Sequence, residues 1–156
     1  MRALRAALLP LILLAAACES TVAPAGSEAE DPALATTRVV LTTADGRTHR
    51  YTAEIAATPE QQARGLMYRR SMPRDRGMIF PMQPPRRASF WMQNTYLPLD
   101  IIFVGTDGRV LNVGRGVPES TAFVEAVGLT GAVLELNAGE AERIGLKPGD
   151  KVSWTQ

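Results

Sequence analysis

Leu99-Asp100-Ile101-Ile102-Phe103-Val104-Gly105-Thr106-Asp107-Gly108-Arg109-Val110-Leu111-Asn112-Val113 is the stretch that decides the fold class. Leu99 to Val104 is the most apolar segment of the domain, and its Ile-Ile-Phe-Val content predicts a strand buried on both faces. Asp107-Gly108 supplies the positive φ of a tight turn, so Val110 to Val113 returns beside it as a hairpin. The same device stands earlier in the chain. Val39 to Thr42 and Thr48 to Ile55 flank Ala44-Asp45-Gly46-Arg47, which predicts an opening hairpin. Thr58-Pro59-Glu60-Gln61 then starts a helix, with Thr58 as cap, Pro59 in the first turn and Gln61 three residues after the cap. That helix is expected to run to about Gly65-Tyr68. Met78 to Phe80 and Ala88 to Met92 read as short strands separated by a turn at Pro84-Pro85. Beyond a loop from Gly114 to Gly131, Ala132 to Leu136 is a strand. Asn137 to Glu140 caps a second short helix that stops at Gly145, and Lys151 to Thr155 closes the domain. The expectation is an α+β domain over 38–156, with a mainly antiparallel sheet or a partly closed barrel and two short helices.

The segment ahead of the domain reads as an address. Arg2 and Arg5 precede an apolar run from Ala6 to Ala17. As a helix that run spans about 18 Å, short of a bilayer core of ~30 Å, so residues 1–17 suit a cleaved signal peptide. Leu14-Ala15-Ala16-Ala17-Cys18 resembles a bacterial lipobox, although Ala15 stands where Leu is more usual. On this reading the single cysteine, Cys18, is lipidated and anchors the mature chain to a membrane. Ordinary cleavage after Ala17 or Ala25 is the alternative. Residues 18–37, rich in Ala, Ser, Thr, Glu and Pro, read as a flexible tether with a reach of roughly 23 Å. Glu19 after the cysteine resembles Gram-negative lipoproteins sorted to the outer membrane, so the expected location is the periplasm.

Composition narrows the function classes. The 156 residues carry 17 Lys and Arg against 16 Asp and Glu, a balance unlike the basic excess of nucleic-acid binders. One cysteine and one histidine leave no disulfide framework and no conventional His-based or Cys-rich metal site. No cofactor or metal is expected, and no nucleophile elbow or phosphate loop is present.

Phe90-Trp91-Met92-Gln93-Asn94-Thr95, followed by Pro98-Leu99-Asp100, carries the chemistry. Phe90 and Trp91 alternate on a strand, so one is core while the other lines a surface groove. Asn94 and Thr95 fall in a Pro-bounded loop where short polar side chains also shape turns. Asp100 at the edge of an apolar strand must find donors or raise its pKa. Arg64 on the first helix, or Arg115, is its expected partner. These residues, Arg64, Trp91, Asn94, Thr95 and Asp100, are the candidate ligand-binding set. Each has a plainer reading: packing for Trp91, loop capping for Asn94 and Thr95, a structural ion pair or cap for Asp100. His49 is read as solvated or packed. The arginines at 69, 70, 74, 76, 86 and 87 read as a solvated face, with phosphate or lipopolysaccharide contact as the alternative. Met67, Met72, Met78, Met82 and Met92 fall within one short region; thioethers select Cu(I), but core packing explains them equally.

Arg64-Gly65-Leu66-Met67, the Phe90 to Thr95 run with Pro98-Leu99-Asp100, Leu136-Asn137-Ala138-Gly139-Glu140 and Gly145-Leu146-Lys147-Pro148-Gly149-Asp150 together resemble the domain-of-unknown-function family 192 over almost all of 38–156. The resemblance implies a compact, mostly β domain, often secreted or lipid-anchored, and no established reaction. Gln93 stands where relatives commonly carry Lys. The Val117 to Ala132 loop is short and lacks cysteines found there in some relatives. The functional expectation is an envelope protein binding a small polar ligand or a partner chain. A hydrolase using Asp100 with Glu60 or Glu54, a Cu(I) binder and a purely structural envelope module are the alternatives.

Overall fold

A computed structural model of the chain describes residues 33–155. The signal, lipobox and Cys18 readings, and all of the tether before Ala33, lie outside the described residues. Seven strands form one open sheet in the order β6-β5-β8-β3-β2-β1-β9. In chain order these are β1 (Thr36–Thr42), β2 (Thr48–Ile55), β3 (Arg76–Arg86), β5 (Leu99–Gly105), β6 (Val110–Gly116), β8 (Thr130–Asn137) and β9 (Lys151–Trp154). A separate two-stranded ribbon pairs β4 (Ser89–Phe90) with β7 (Val124–Glu125). The helices are α1 (Pro59–Arg64) and α2 (Glu140–Ile144). Only β2 and β3, joined across α1, run parallel; the other neighbours are antiparallel. The α+β expectation holds in its sheet form. The sheet ends at β6 and β9 and is not closed into a barrel.

Several local readings hold. Both Asp-Gly turns form, with Gly46 at φ 81° and Gly108 at φ 73°, the region where a side chain would be strained. Thr58 Oγ1 accepts from Gln61 N at 3.2 Å, and Gln61 Oε1 accepts from Thr58 N at 3.0 Å, completing the capping box. Every residue of β5 is buried.

Other boundaries move for physical reasons. α1 stops at Arg64 because Gly65 takes φ 49° and Tyr68 φ 66°, neither of them helical. Pro84-Pro85 is not a turn between strands. β3 continues through it with a cis Gln83–Pro84 bond, and its register against β8 shifts between Pro81 and Arg86. Prolines donate nothing to a ladder, so the strand tolerates them where regular pairing lapses. The predicted strand Ala88 to Met92 contracts to Ser89–Phe90. The expected loop from 114 to 131 contains its partner, β7. β1 begins at Thr36, with Thr37 Oγ1 donating to Thr155 O at 2.7 Å.

The sheet separates two cores. On the α2 face lie Leu41, Tyr51, Ile79, Ile102, Leu134 and Ile144. On the ribbon face lie Met78, Phe80, Met92, Ile101, Phe103 and Val133. The period of two explains the division: adjacent residues of β3, β5 and β8 point to opposite sides. Met78, Met82 and Met92 are each 2% exposed or less and belong to the ribbon-face core. There they fill space among Phe80, Phe90 and Phe103, as flexible thioethers commonly do.

Candidate functional site

β8 sits between β5 and β3, and its alternation places one carboxylate on the ribbon face. Ala132, Leu134 and Leu136 join the α2-face core. Val133 and Glu135 therefore point the other way. Glu135 is opposite Met78 on β3 and Ile101 on β5, both fully buried. The carboxylate is thus set into the middle of the sheet, 5% exposed, with apolar neighbours on both flanking strands. No hydrogen bond or ion pair engages its side chain among the described residues. Burial without a donor disfavours the charged form and pushes the carboxyl up to about 8.

Glu135 lines a narrow cavity of about 40 Å³ together with Arg64, Gly65, Phe80, Phe90, Trp91 and Thr95. The cavity adjoins a groove of about 340 Å³ that shares Gln62, Ala63, Phe90 and Trp91 and extends to Arg86. Its walls are aromatic. Phe90 meets Phe80 edge-on at 5.0 Å between centroids and Phe103 at 6.2 Å. Trp91 lies past the end of β4, is 43% exposed, and stacks on Phe123 at 6.0 Å with 5° between planes. Gly65 forms part of the rim. A Cβ there would sit 3.4 Å from the Phe80 ring, and the backbone is already at φ 49°. The bordering loops are tied to one another: Tyr68 N donates to Asn94 O at 2.8 Å, Glu119 N to Thr95 O at 3.0 Å, and Met92 N to Ser120 O at 2.9 Å.

Of the sequence candidates, Arg64, Trp91 and Thr95 meet at this cavity. Arg64 places its guanidinium 5.5 Å from the Tyr68 ring centroid. Thr95 is buried, and its Oγ1 donates to Gln93 O at 3.3 Å. Asn94 borders the site through its backbone, at φ 57°. Asp100 does not join them. It pairs in register with Leu136, a residue of the α2-face core, so it faces away from Glu135. Its Oδ2 accepts from Ala141 N at 2.8 Å at the start of α2. The expected Arg64 partner is across the sheet, whereas Arg115 is the cross-strand neighbour in register. The carboxylate found its donor in an unsatisfied helix N–H, a contact made only when α2 folds onto β5. The two acids considered beside Asp100 are also elsewhere. Glu54 and Glu60 line a different hollow, of about 240 Å³, where Arg69 donates to both oxygens of Glu54 at 2.6 and 2.7 Å. A fourth hollow, of about 410 Å³, lies between Pro59, Gln83 and Trp154.

Glu135 escaped the sequence reading, although its signal matched that of Asp100: one acid inside an apolar strand, Val133-Leu134-Glu135-Leu136. The arginine-rich segment also resolves into contacts. Arg69 holds Glu54, Arg74 holds Glu140, Arg86 Nη2 donates to Gln62 Oε1 at 3.0 Å, and Arg70 lies 5.4 Å from the Tyr96 ring centroid. His49 is partly buried on β2, opposite Leu41.

The fold and much of the sequence are shared with solved structures. A protein from Sinorhizobium meliloti 1021, provisionally named a transcription regulator, is 44% identical, with a TM-score of 0.77 over 80% of this chain and 97% of that one. A protein of unknown function from Novosphingobium aromaticivorans DSM 12444 is 46% identical, with a TM-score of 0.74 over 81% of this chain and 95% of its own. No match was found among curated proteins. The model of the family DUF192, described as "Uncharacterized ACR", matches residues 40–154, and the chain belongs to that family.

Proposed function

We propose that this protein is an exported envelope protein, held to the membrane through Cys18, whose domain binds a small polar ligand in the Glu135 cavity. The observation that carries the binding reading is a buried carboxyl without a partner among the described residues, lining a hollow beside a half-exposed tryptophan. A buried polar group is ordinarily satisfied within the fold. A concave, mostly apolar site with a few convergent polar groups and a perturbed acid is the usual form of a small-molecule site. Glu135, Thr95 and Arg64 are the polar groups here, and Phe80, Phe90 and Trp91 the apolar ones.

The hydrolase alternative gains nothing from Asp100, whose carboxylate is engaged at α2. The regulator label of the Sinorhizobium relative is not adopted, because the charge is balanced and Arg69 and Arg74 are held by acids.

Two experiments test the proposal. Trp91 fluorescence, read in a Trp154→Phe background, is expected to shift with at least one member of a panel of cell-wall sugars, amines and amino acids. Silence across the panel, with the protein folded, overturns the binding reading. Cys18→Ala is expected to move the protein from the membrane fraction to the soluble periplasm; unchanged fractionation overturns the anchor.

A further inference from the structure

The polar groups of the cavity are unequal in kind. Gln62 Nε2 donates to Ala56 O at 3.2 Å and Pro81 O at 2.9 Å, and its Oε1 accepts from Arg86. Both amide protons are therefore used. Thr95 gives its proton to Gln93 O and retains only lone pairs for a visitor. Glu135 offers two carboxyl oxygens. Apart from Arg64, the polar groups left over in the lining are acceptors, and beside them stand Phe80, Phe90 and Trp91. Arg64, whose guanidinium lies against Tyr68, is the only other ionisable group among the lining residues. Of the charged groups on the flanking strands, Asp100 faces the opposite core, whereas Arg76, exposed at the start of β3, shares the parity of Met78 and Arg86 lines the adjoining groove.

We propose that the Glu135 cavity takes the ammonium head of a small primary amine, its alkyl stem lying in the adjoining groove toward Arg86. This rests on the ligand-binding reading above and names the ligand's class. An ammonium carries three donors and no acceptor, which matches Glu135 and Thr95. Aromatic faces attract a cation within about 6 Å of their centroids. A cavity of about 40 Å³ admits a head group and little more, so the stem must leave through the groove.

Glu135 must ionise to hold the cation. The ammonium keeps its own protons, and the carboxyl proton leaves for solvent. By linkage, the amine and that proton oppose one another reciprocally. The test uses the full chain in solution, with the Glu135 side-chain carboxyl carbon and the Trp91 indole N–H followed by NMR. Without ligand the Glu135 titration is expected near 8. With saturating n-propylammonium the midpoint is expected to fall by at least one pH unit while the Trp91 signal moves. Propan-1-ol and propionamide leave the midpoint in place. Glu135→Gln, verified as folded, abolishes the Trp91 response to the amine. If a neutral probe moves Trp91 and n-propylammonium moves neither signal, the cation assignment is overturned and the binding site stands. If Glu135→Gln responds to the amine as wild type does, the assignment is likewise overturned. If no probe of either kind moves either signal, both readings fall.

Discussion

The two faces of the sheet each bury carboxylates and treat them in opposite ways. On the α2 face Asp100 accepts from Ala141 N. Glu140 accepts from Tyr51 Oη at 3.0 Å and is held by Arg74 and Arg143. Hydrogen bonds from Arg143 draw the Glu140 carboxyl down to about 2, against the opposing effect of burial. Tyr51, buried against it, rises to about 12. On the ribbon face Glu135 has burial and, among the described residues, no donor, and its carboxyl rises. An acid tied on three sides fixes α2 to the sheet; one left open to a cavity retains capacity for something else. Burial alone therefore does not mark a site.

The contrast is broken most severely on the satisfied face. Glu140→Ala removes the acceptor of the Tyr51 hydroxyl and the carboxylate that two guanidinium groups share. Removing one partner from a buried ion pair typically costs 3–5 kcal/mol, and with both arginines partly exposed we expect ~2–3 kcal/mol here. Chemical denaturation measures it; a loss below about 1 kcal/mol would show the network to be superficial.

On the open face the sign reverses. Glu135→Met removes an acid that must bind a proton in order to be buried, and is expected to stabilise the fold by on the order of 2 kcal/mol at pH 8 while abolishing ligand response. The pH dependence separates the faces further. For Glu135 the folded value of about 8 lies above its ordinary 4.5. The native state then holds a proton that the unfolded chain has lost, and stability declines as pH rises from 4.5 to 8. For Glu140 the folded value of about 2 lies below 4.5. Its contribution is complete above 4.5 and is lost as pH falls toward 2. Urea midpoints between pH 4 and 9 are expected to fall toward alkali in wild type and to lie flatter in Glu135→Gln. Equal slopes would mean that Glu135 is not buried as an acid.

Smaller effects sharpen the comparison. Asp100→Ala removes the bond to Ala141 N and is expected to cost about 1 kcal/mol, as loss of a helix cap does, without changing the Trp91 response to ligand. A lost response would place Asp100 in the site after all. Trp91→Ala, at a half-exposed ring, is expected to change stability by under ~1 kcal/mol while weakening amine binding at least tenfold. Unchanged binding would reduce Trp91 to a partner of Phe123.

Much of this was legible from local chemistry. Thr58 and Gln61 formed the capping box that their spacing announces, and both Asp-Gly turns formed because so few residues tolerate positive φ. The Asn137 to Glu140 stretch does start α2, but without a side-chain cap from within it. The N-cap of α2 is Gly139, with no side-chain bond of its own, and the donor's partner arrives from Asp100, forty-one positions away in sequence. A contact of that separation leaves no local spacing to read. β7 was equally hidden: Val124–Glu125 is too short to show a period and is a strand only because it pairs with β4, which the Ala88 to Met92 reading located but overextended.

Residue order alone settled the strand-rich α+β class, the hairpin turns, the start of α1 and the apolar continuity of β5, because each rests on neighbours a few positions apart. Tertiary structure settled which acid is mortar and which is exposed to a ligand. Asp100 and Glu135 look alike in sequence, each a carboxylate within a buried strand. They differ because strand alternation turns one toward the N–H groups of α2 and the other toward a hollow where no hydrogen bond engages it among the described residues, and a charge's environment is set by what packs against it in three dimensions.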